Sequence, residues 1–124
     1  PSQFATQAEM EGGNAIDKTV TPGRFQYHPA AAKAWATGDY NGVLAAAYNV
    51  GSVADGGTGI QTYNWTTAFS TASYAVVATV YSGSGYFCRI NVARTITGAP
   101  VYTTDTTPTQ QDATNSSIVT FGDQ

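Results

Sequence analysis

Few side chains in this sequence can do acid–base or nucleophilic chemistry. There is one histidine, His28, and one cysteine, Cys88. A Ser-His-Asp triad would need His28 as its base, but Pro29 follows it and no serine lies in a nucleophile-elbow pattern. We therefore predict no catalytic residue and no enzymatic activity, and we expect His28 to serve packing or a polar contact.

Paired carboxylates are a second possible source of chemistry, because two of them can hydrolyse a glycosidic bond. From residue 33 onward there is no Glu, and every Asp lies in turn-like sequence: Asp39, Asp55, Asp105, Asp112 and Asp123. Asp is favoured in turns because its carboxylate accepts nearby backbone N–H groups. We predict this turn role rather than a depolymerase or calcium site, and we predict no metal and no cofactor.

The residues of the segment 86–96 alternate in polarity, as in a β-strand. Cys88 falls on the side that carries Tyr86, Ile90, Val92 and Ile96, so we expect a buried, structural thiol rather than a reactive one. Arg94 falls on the same apolar side. It is therefore expected to need a carboxylate partner or a subunit boundary.

Aromatic residues remain as candidates for binding. The chain has eight Tyr, five Phe and two Trp, and an aromatic ring beside amide or carboxylate groups suits a sugar ring with its hydroxyls. Most strand aromatics are expected to pack in the core or at interfaces. Tyr40 is the expected exception, because it lies in the turn 38–42 between Asp39 and Asn41. These three residues, with Tyr86 and Tyr102, are the predicted glycan-binding residues.

Length and charge limit the classes of protein that remain. The chain has 124 residues and 12.9 kDa, which suits one domain. Only 10% of residues are charged, against about 25% in average soluble proteins. With five Lys and Arg against eight Asp and Glu, no basic patch for nucleic acid is expected. The sequence contains no run of about 20 apolar residues, so no membrane-spanning helix is predicted.

The elements that must position these residues divide the chain in two. Residues 1–32 predict a helical or extended segment, with a capping box at Thr6 and Glu9 and a second helix start at Thr21-Pro22 that ends by Pro29. Since the sequence begins at Pro1 without a signal peptide, we interpret it as a piece of a longer polypeptide. Two such short helices are marginal alone and need a partner surface, which is either the β domain or copies of the helices in other chains. Residues 1–32 are therefore expected to form a stalk, to pack between subunits or to pack on the β domain.

Residues 33–124 predict an all-β antiparallel sandwich, jelly-roll-like, because short strands alternate with Gly- and Asp-rich turns. The segment 74–81 is apolar on both faces, which suggests a second cover from another subunit. Residues 103–115 predict a polar loop. The predicted strands are 33–37, 43–50, 60–68, 74–81, 86–96, 101–104 and 116–121, and the predicted turns are 38–42, 55–59, 82–85 and 97–100.

Two blocks of sequence resemble a known family. Ala5-Thr6-Gln7-Ala8-Glu9, followed by Asp17-Lys18-Thr19-Val20-Thr21-Pro22, is similar to a segment that recurs in tail fibres of tailed bacteriophages. The blocks from Lys33-Ala34-Trp35 through Ala47-Tyr48-Asn49-Val50, and from Tyr63-Asn64-Trp65 through Val77, resemble the same modules, with Trp65 where Phe is more usual. The resemblance covers about residues 5–80, and residues 86–124 match nothing in it.

The resemblance implies a virion structural protein, commonly a homotrimer with its β domain at the fibre tip, and it transfers no catalytic residue. We therefore expect a tail-fibre tip that trimerises and recognises a host-surface receptor, a glycan or a protein, through loops 38–42, 55–59, 82–85 and 97–115. The alternative is a structural module, such as capsid decoration, a head fibre or a trimerisation domain. Other virion proteins are expected partners, nucleic acid and membrane insertion are not, and the expected location is the virion after synthesis in the bacterial cytoplasm.

Overall fold

The computed structural model of the chain describes residues 3–82, 84–90 and 93–124. Two short helices precede eight strands that form two antiparallel sheets of four, ordered β2-β1-β8-β5 and β3-β4-β7-β6. This arrangement is consistent with the predicted all-β sandwich. The elements are α1 (Gln7–Gly12), α2 (Pro22–Phe25), β1 (Ala34–Asp39), β2 (Leu44–Tyr48), β3 (Val50–Asp55), β4 (Ile60–Trp65), β5 (Ala75–Tyr81), β6 (Phe87–Arg89), β7 (Gly98–Thr104) and β8 (Asn115–Phe121).

The two N-terminal helices begin where the sequence predicts. Thr6 and Glu9 form the reciprocal capping box of α1, and Gly13 ends that helix in the left-handed conformation at φ 64°. Pro22 occupies the first turn of α2, but the side chain of Thr21 makes no capping hydrogen bond. The segment then reaches β1 through Lys33, whose ammonium donates to His28 O at 3.3 Å.

A corner at Asn49 overturns the prediction of one strand over 43–50. Asn49 has φ 54°, in the left-handed region that Asn tolerates. Its side-chain oxygen accepts from Thr67 N at 2.7 Å, and its amide nitrogen donates to Lys33 O at 3.1 Å. The chain therefore leaves β2 in one sheet and enters β3 in the other.

The predicted strand 86–96 is much shorter in the structure. Cys88 and Ile90 face the core as the alternation predicts, but Ile96 is exposed in a turn, and residues 91 and 92 lie outside the described part of the chain. The predicted turn 97–100 is also wrong, because β7 begins at Gly98. A Cβ on Gly98 would lie 2.6 Å from Tyr63 O, so only glycine allows the two backbones to pair this closely.

A buried polar network joins the two sheets. The hydroxyl of Tyr63 in β4 lies 2.8 Å from Ser116 O and 2.7 Å from Ser116 Oγ of β8, and these two oxygens are the acceptors for its one proton. Ser116 Oγ in turn donates to Gln61 Oε1, and Gln61 Nε2 donates to Asp39 O of β1. Tyr63 has no exposed surface and Ser116 is 1% exposed, so these bonds replace water at the centre of the sandwich.

An aromatic cluster fills the other half of the core. The rings of Phe69 and Tyr74 stack with centroids 4.1 Å apart, and Trp65 packs edge-on against both. The Tyr74 hydroxyl donates towards Gly98 O at 2.9 Å, so its polar end is satisfied. Arg94 lies over the Tyr74 ring, 5.6 Å from its centroid. The contact that the structure gives Arg94 is therefore an aromatic face of the same chain, where we expected a carboxylate or a subunit boundary.

Strand β5 is covered on one side by the described residues. Its alternate residues Val76 and Ala78 pack against the core, whereas Val77 is 60% and Tyr81 68% exposed on the outer side. The double-sided apolar pattern of 74–81 is thus present, and its outer side has no cover within the described residues.

Replacing Tyr63 with Phe tests the network. We expect Tyr63→Phe to lower the free energy of unfolding by about 1–2 kcal/mol, because it removes hydrogen bonds made in a water-free position. Denaturant unfolding measures this change. The matched control is Tyr81→Phe, at an exposed tyrosine, and it should shift stability by less than about 0.5 kcal/mol. Equal effects of the two variants would contradict the role of the network.

Burial also raises the pKa of the Tyr63 hydroxyl, although hydrogen bonding with Ser116 opposes this shift. A pKa raised on folding gives stability that is complete below about pH 10, the unfolded value, and is lost as pH rises through the folded value. We expect the free energy of unfolding to fall above about pH 10 more steeply in the wild type than in Tyr63→Phe. Parallel pH profiles of the two proteins would contradict this prediction.

Candidate functional site

Four connections gather at one end of the sandwich, which we call the loop end. They are residues 40–43, 56–59, the described part of 82–86, and 105–114. The strand registers place them together, since Asp39 pairs with Asn115, Tyr81 also pairs with Asn115, and Phe87 pairs with Thr104. The predicted contact loops 38–42 and 55–59 therefore share one end with the described part of loop 82–85, of which residue 83 lies outside the described residues. Of the predicted loop 97–115, residues 98–104 are strand β7 and only 105–114 lies at this end.

The predicted site residue Asp39 holds the first of these turns. Its Oδ1 accepts from Asn41 N and from Val43 N, both at 2.9 Å. Gly42 follows at φ 83°, with its Cα close enough to β3 that a Cβ would lie 3.1 Å from Val53 O. The carboxylate thus shapes the turn that presents Tyr40, whose side chain is 43% exposed.

Other aspartates hold the neighbouring loops in the same way. Asp55 Oδ1 accepts from Gly57 N at 2.8 Å, and Asp105 Oδ1 accepts from Thr107 N at 2.8 Å. Asp112 reaches across to a different loop and accepts from Gly59 N at 2.7 Å. The predicted turn role of these carboxylates is therefore confirmed for Asp39, Asp55, Asp105 and Asp112.

The electrostatics of the loop end follow from this arrangement. Hydrogen bonds from the Thr107 side chain and backbone, and from Thr109 N, hold the pKa of Asp105 below its usual value. Four carboxylates at one end, with Arg89 of β6 as the nearby cation in the described sequence, make this surface acidic. An acidic surface disfavours anionic ligands relative to neutral polar ones.

The five predicted binding residues do not form one cluster. Asp39, Tyr40 and Asn41 share a turn that packs on β3, an edge strand of its sheet. Tyr86 precedes β6, the opposite edge, and three strand spacings of about 4.8 Å separate those edges. Tyr102 lies within β7 on its outer face, half-buried and paired with Arg89. A ligand at Tyr40 would have to be extended to reach Tyr86.

Sequence reasoning missed the link between loops 56–59 and 105–114. Asp112 bonds to Gly59 N across 53 positions of sequence, and a Cβ on Gly59 would lie 2.7 Å from Thr103 O. Gly59 belongs to the turn 55–59 that the sequence predicts, and its φ of 71° suits glycine. No local pattern in the sequence identifies Asp112 as its partner. This link makes Thr58 and Gln110, both exposed, neighbours on the loop end.

His28 and Cys88 have contacts that suit structural roles. His28 Nδ1 accepts from Ala30 N at 3.1 Å, which is a polar contact of the kind predicted. Cys88 Sγ donates to Ala78 O at 2.9 Å, and burial raises the pKa of its thiol. In the described residues no three His, Cys, Asp or Glu side chains lie where they could share a metal ion.

None of the helices in the described ranges has the length and apolar character needed to cross a bilayer. Comparisons of the chain with protein-family models, with curated protein sequences and with solved structures find no match. The resemblance to phage tail fibres therefore depends on the sequence blocks within residues 5–80 alone.

The Asp39 turn can be tested by paired substitutions. Asp39→Ala removes two acceptor contacts, so we expect a loss of about 1–2 kcal/mol in stability and faster hydrogen exchange at the Asn41 and Val43 amides. Asp39→Asn keeps a side-chain oxygen and should retain most of the protection. Exchange rates that are unchanged in Asp39→Ala would contradict the assigned role of this carboxylate.

Proposed function

We propose that this chain is a non-enzymatic, homotrimeric tip domain of a phage tail fibre that recognises a neutral host-surface glycan through its loop end. The observation that carries the proposal is the set of aspartate-held loops at one end of the sandwich, with Tyr40 exposed among them. The resemblance over residues 5–80 supplies the viral context.

The rigidity of the loops supports recognition. A surface held by side-chain-to-backbone hydrogen bonds loses little conformational entropy when a ligand binds. Tyr40 offers an aromatic face for a sugar ring, while Asn41 and the exposed residues Thr58 and Gln110 offer hydroxyl and amide partners. The acidity of the loop end favours a neutral saccharide over a phosphorylated or carboxylated one.

The position of the N-terminal segment supports a tip location. The segment joins β1 at Ala34, whose partner Thr120 marks the end of the sandwich opposite the loops. A fibre that enters through the segment would therefore present the loop end outward. The sequence also predicts that the sandwich is jelly-roll-like. The pairing of the first strand with the last, β1 with β8, supports this finer prediction.

An apolar row on one sheet supports the trimer. Tyr48, Trp35, Val119 and Val77 are successive partners across β2, β1, β8 and β5, and we call this row the outer apolar face. Trp35 is 43%, Tyr48 48% and Val77 60% exposed, and the row carries no charge. Burying such a row between subunits is favourable by about 25 cal/mol per Å² of apolar surface. Three copies of a weak glycan site would then act together through avidity.

The proposed setting is the surface of the phage particle, after synthesis in the bacterial cytoplasm, where a lone thiol without disulfides is the common condition. A host protein in place of a glycan, and neighbouring virion proteins, remain proposed partners. Nucleic acid and membrane insertion are not among them, in keeping with the net charge of −3.

A second candidate is a structural module that binds only other virion proteins, as in capsid decoration, a head fibre or a trimerisation domain. The N-terminal segment favours it, because Ile16 is fully exposed, and Phe4 and Phe25 are 56% and 58% exposed. Apolar side chains on a short segment suit docking to another protein. The two candidates differ in whether the loop end binds a ligand.

A glycan-binding experiment separates them. On an array of bacterial surface saccharides we expect the protein to bind neutral glycans, and Tyr40→Ala to weaken that binding about tenfold, the effect of losing an aromatic anchor. The control is Ile16→Ala, in the N-terminal segment, which should leave binding unchanged. Absence of glycan binding by the wild type would favour the second candidate, and glycan binding that Tyr40→Ala leaves unchanged would contradict recognition through the loop end.

The trimer is tested by absolute mass in dilute solution. We expect three times the 12.9 kDa of one chain for the wild type. Val77→Glu should give the single-chain mass with its fold intact, because it places a charge on the outer apolar face. The matched control is Val43→Glu, at a residue 58% exposed in the loop-end turn, which should remain trimeric. A monomeric wild type would contradict the trimer.

A further inference from the structure

A cleft lies at the end of the sandwich opposite the loop end. Its volume is about 410 Å³, within the range of roughly 300–1,000 Å³ typical of small-molecule sites. The N-terminal segment forms one wall through Gln26 and Tyr27, and the β2–β3 corner forms another through Tyr48 and Asn49. The residues after β4 and β8 complete it.

The polar backbone around the cleft is already fixed. The side-chain amide of Asn49 donates to Lys33 O and to Thr67 O, and its oxygen accepts from Thr67 N, over distances of 2.7–3.2 Å. Gln124 Nε2 also donates to Thr67 O, at 3.1 Å. These bonds build the cleft before any ligand enters, which is the condition for a preorganised site.

Lys33 is the unusual residue of the cleft. It is only 5% exposed, yet its ammonium has three N–H donors and, in the described part of the chain, one hydrogen bond, to His28 O at 3.3 Å. The carbonyl of His28 already accepts from Ala31 N at 2.9 Å, so it does not need the lysine. Burial lowers the pKa of Lys33 and outweighs Asp123 and Glu11, which act on the ammonium electrostatically in the opposite direction. Burial of a charged group with spare donors is costly, and a ligand oxygen would reduce that cost.

The charge and chemistry of the lining indicate what would satisfy Lys33. Lys33 and Asp123 are the two charged side chains among the lining residues, so the cleft offers both an N–H donor and a carboxylate acceptor. Glu11 borders Lys33 in the adjoining depression, so the charges around the ammonium are acidic overall. Tyr27 adds an aromatic ring, and Thr66 adds a hydroxyl. A ligand with many hydroxyls and no charge can pair with donor and acceptor at once and lay a ring face on a tyrosine.

We propose that this cleft is a binding site for one neutral saccharide unit, in which the Lys33 ammonium donates to a sugar oxygen and Asp123 accepts from a sugar hydroxyl. The site is separate from the loop end and does not depend on the proposed role of Tyr40. It would let the domain hold a saccharide at both ends, one of them beside the N-terminal segment.

The test is an amide-resolved NMR titration of the full chain with glucose, galactose, N-acetylglucosamine and rhamnose, and with glucuronate and glucosamine as charged probes. We expect at least one neutral sugar to shift the amides of Asn49, Thr67 and Asp123, with millimolar affinity. The charged probes should bind more weakly. Lys33→Met should weaken the binding of that sugar at least tenfold, because it removes the ammonium donor and keeps an apolar side chain of similar length.

Two further variants keep the result decisive. Asp123→Asn retains the shape of the cleft and should also weaken the neutral sugar, which provides a second test if Lys33→Met does not fold. Tyr40→Ala should leave the cleft shifts unchanged, so failure of the loop-end proposal and failure of this one are seen at different amides. No cleft shift with any sugar, tighter binding of glucuronate, or an unchanged sugar affinity in a folded Lys33→Met would each overturn the proposal.

Discussion

The contact between Tyr63 and Ser116 is the constraint on which the sandwich depends. It places a phenol and a serine hydroxyl at the water-free centre, where each must find a partner in the opposite sheet. Through Gln61 the same network reaches Asp39 O, at the base of the turn that presents Tyr40. A change in the packing of the two sheets would therefore displace the turn that carries the proposed recognition surface.

Space for this network depends on a small residue above it. A Cβ on Gly38 would lie 3.1 Å from the Tyr63 hydroxyl and 3.0 Å from Val53 Cγ1. Glycine at this point lets β1 pass closely over β4, and the turn at Asp39 begins directly afterwards. The core and the loop end are thus coupled over a few residues, whereas the aromatic cluster around Tyr74 stabilises the other end.

The two ends of the sandwich use polar groups differently. At the loop end the carboxylates of Asp39, Asp55, Asp105 and Asp112 accept hydrogen bonds from backbone N–H groups. Their role is to fix the loop conformations that present the exposed side chains. At the opposite end Lys33 keeps donors that the described residues do not use, although it is nearly buried. Groups whose hydrogen bonds are complete make the loop end rigid, whereas the spare donors of Lys33 are the reason that the cleft carries a separate proposal.

Local signals in the sequence were enough for the short-range features. The capping box at Thr6 and Glu9, the aspartate-held turns and the inward side of Cys88 and Ile90 each depend on residues a few positions apart. The alternation of short strands with Gly- and Asp-rich turns predicted the all-β class, and the turn 38–42 predicted the position of Tyr40.

Tertiary structure alone decided the long-range features. The division of 43–50 between two sheets required Asn49 to bond with Lys33 and Thr67, and the strand start at Gly98 required the close approach of Tyr63. The Gly59–Asp112 bond and the burial of Lys33 likewise join residues far apart in the chain or depend on what packs around them. Periodicity and turn propensity describe one segment at a time, so they carry no information on which segments meet.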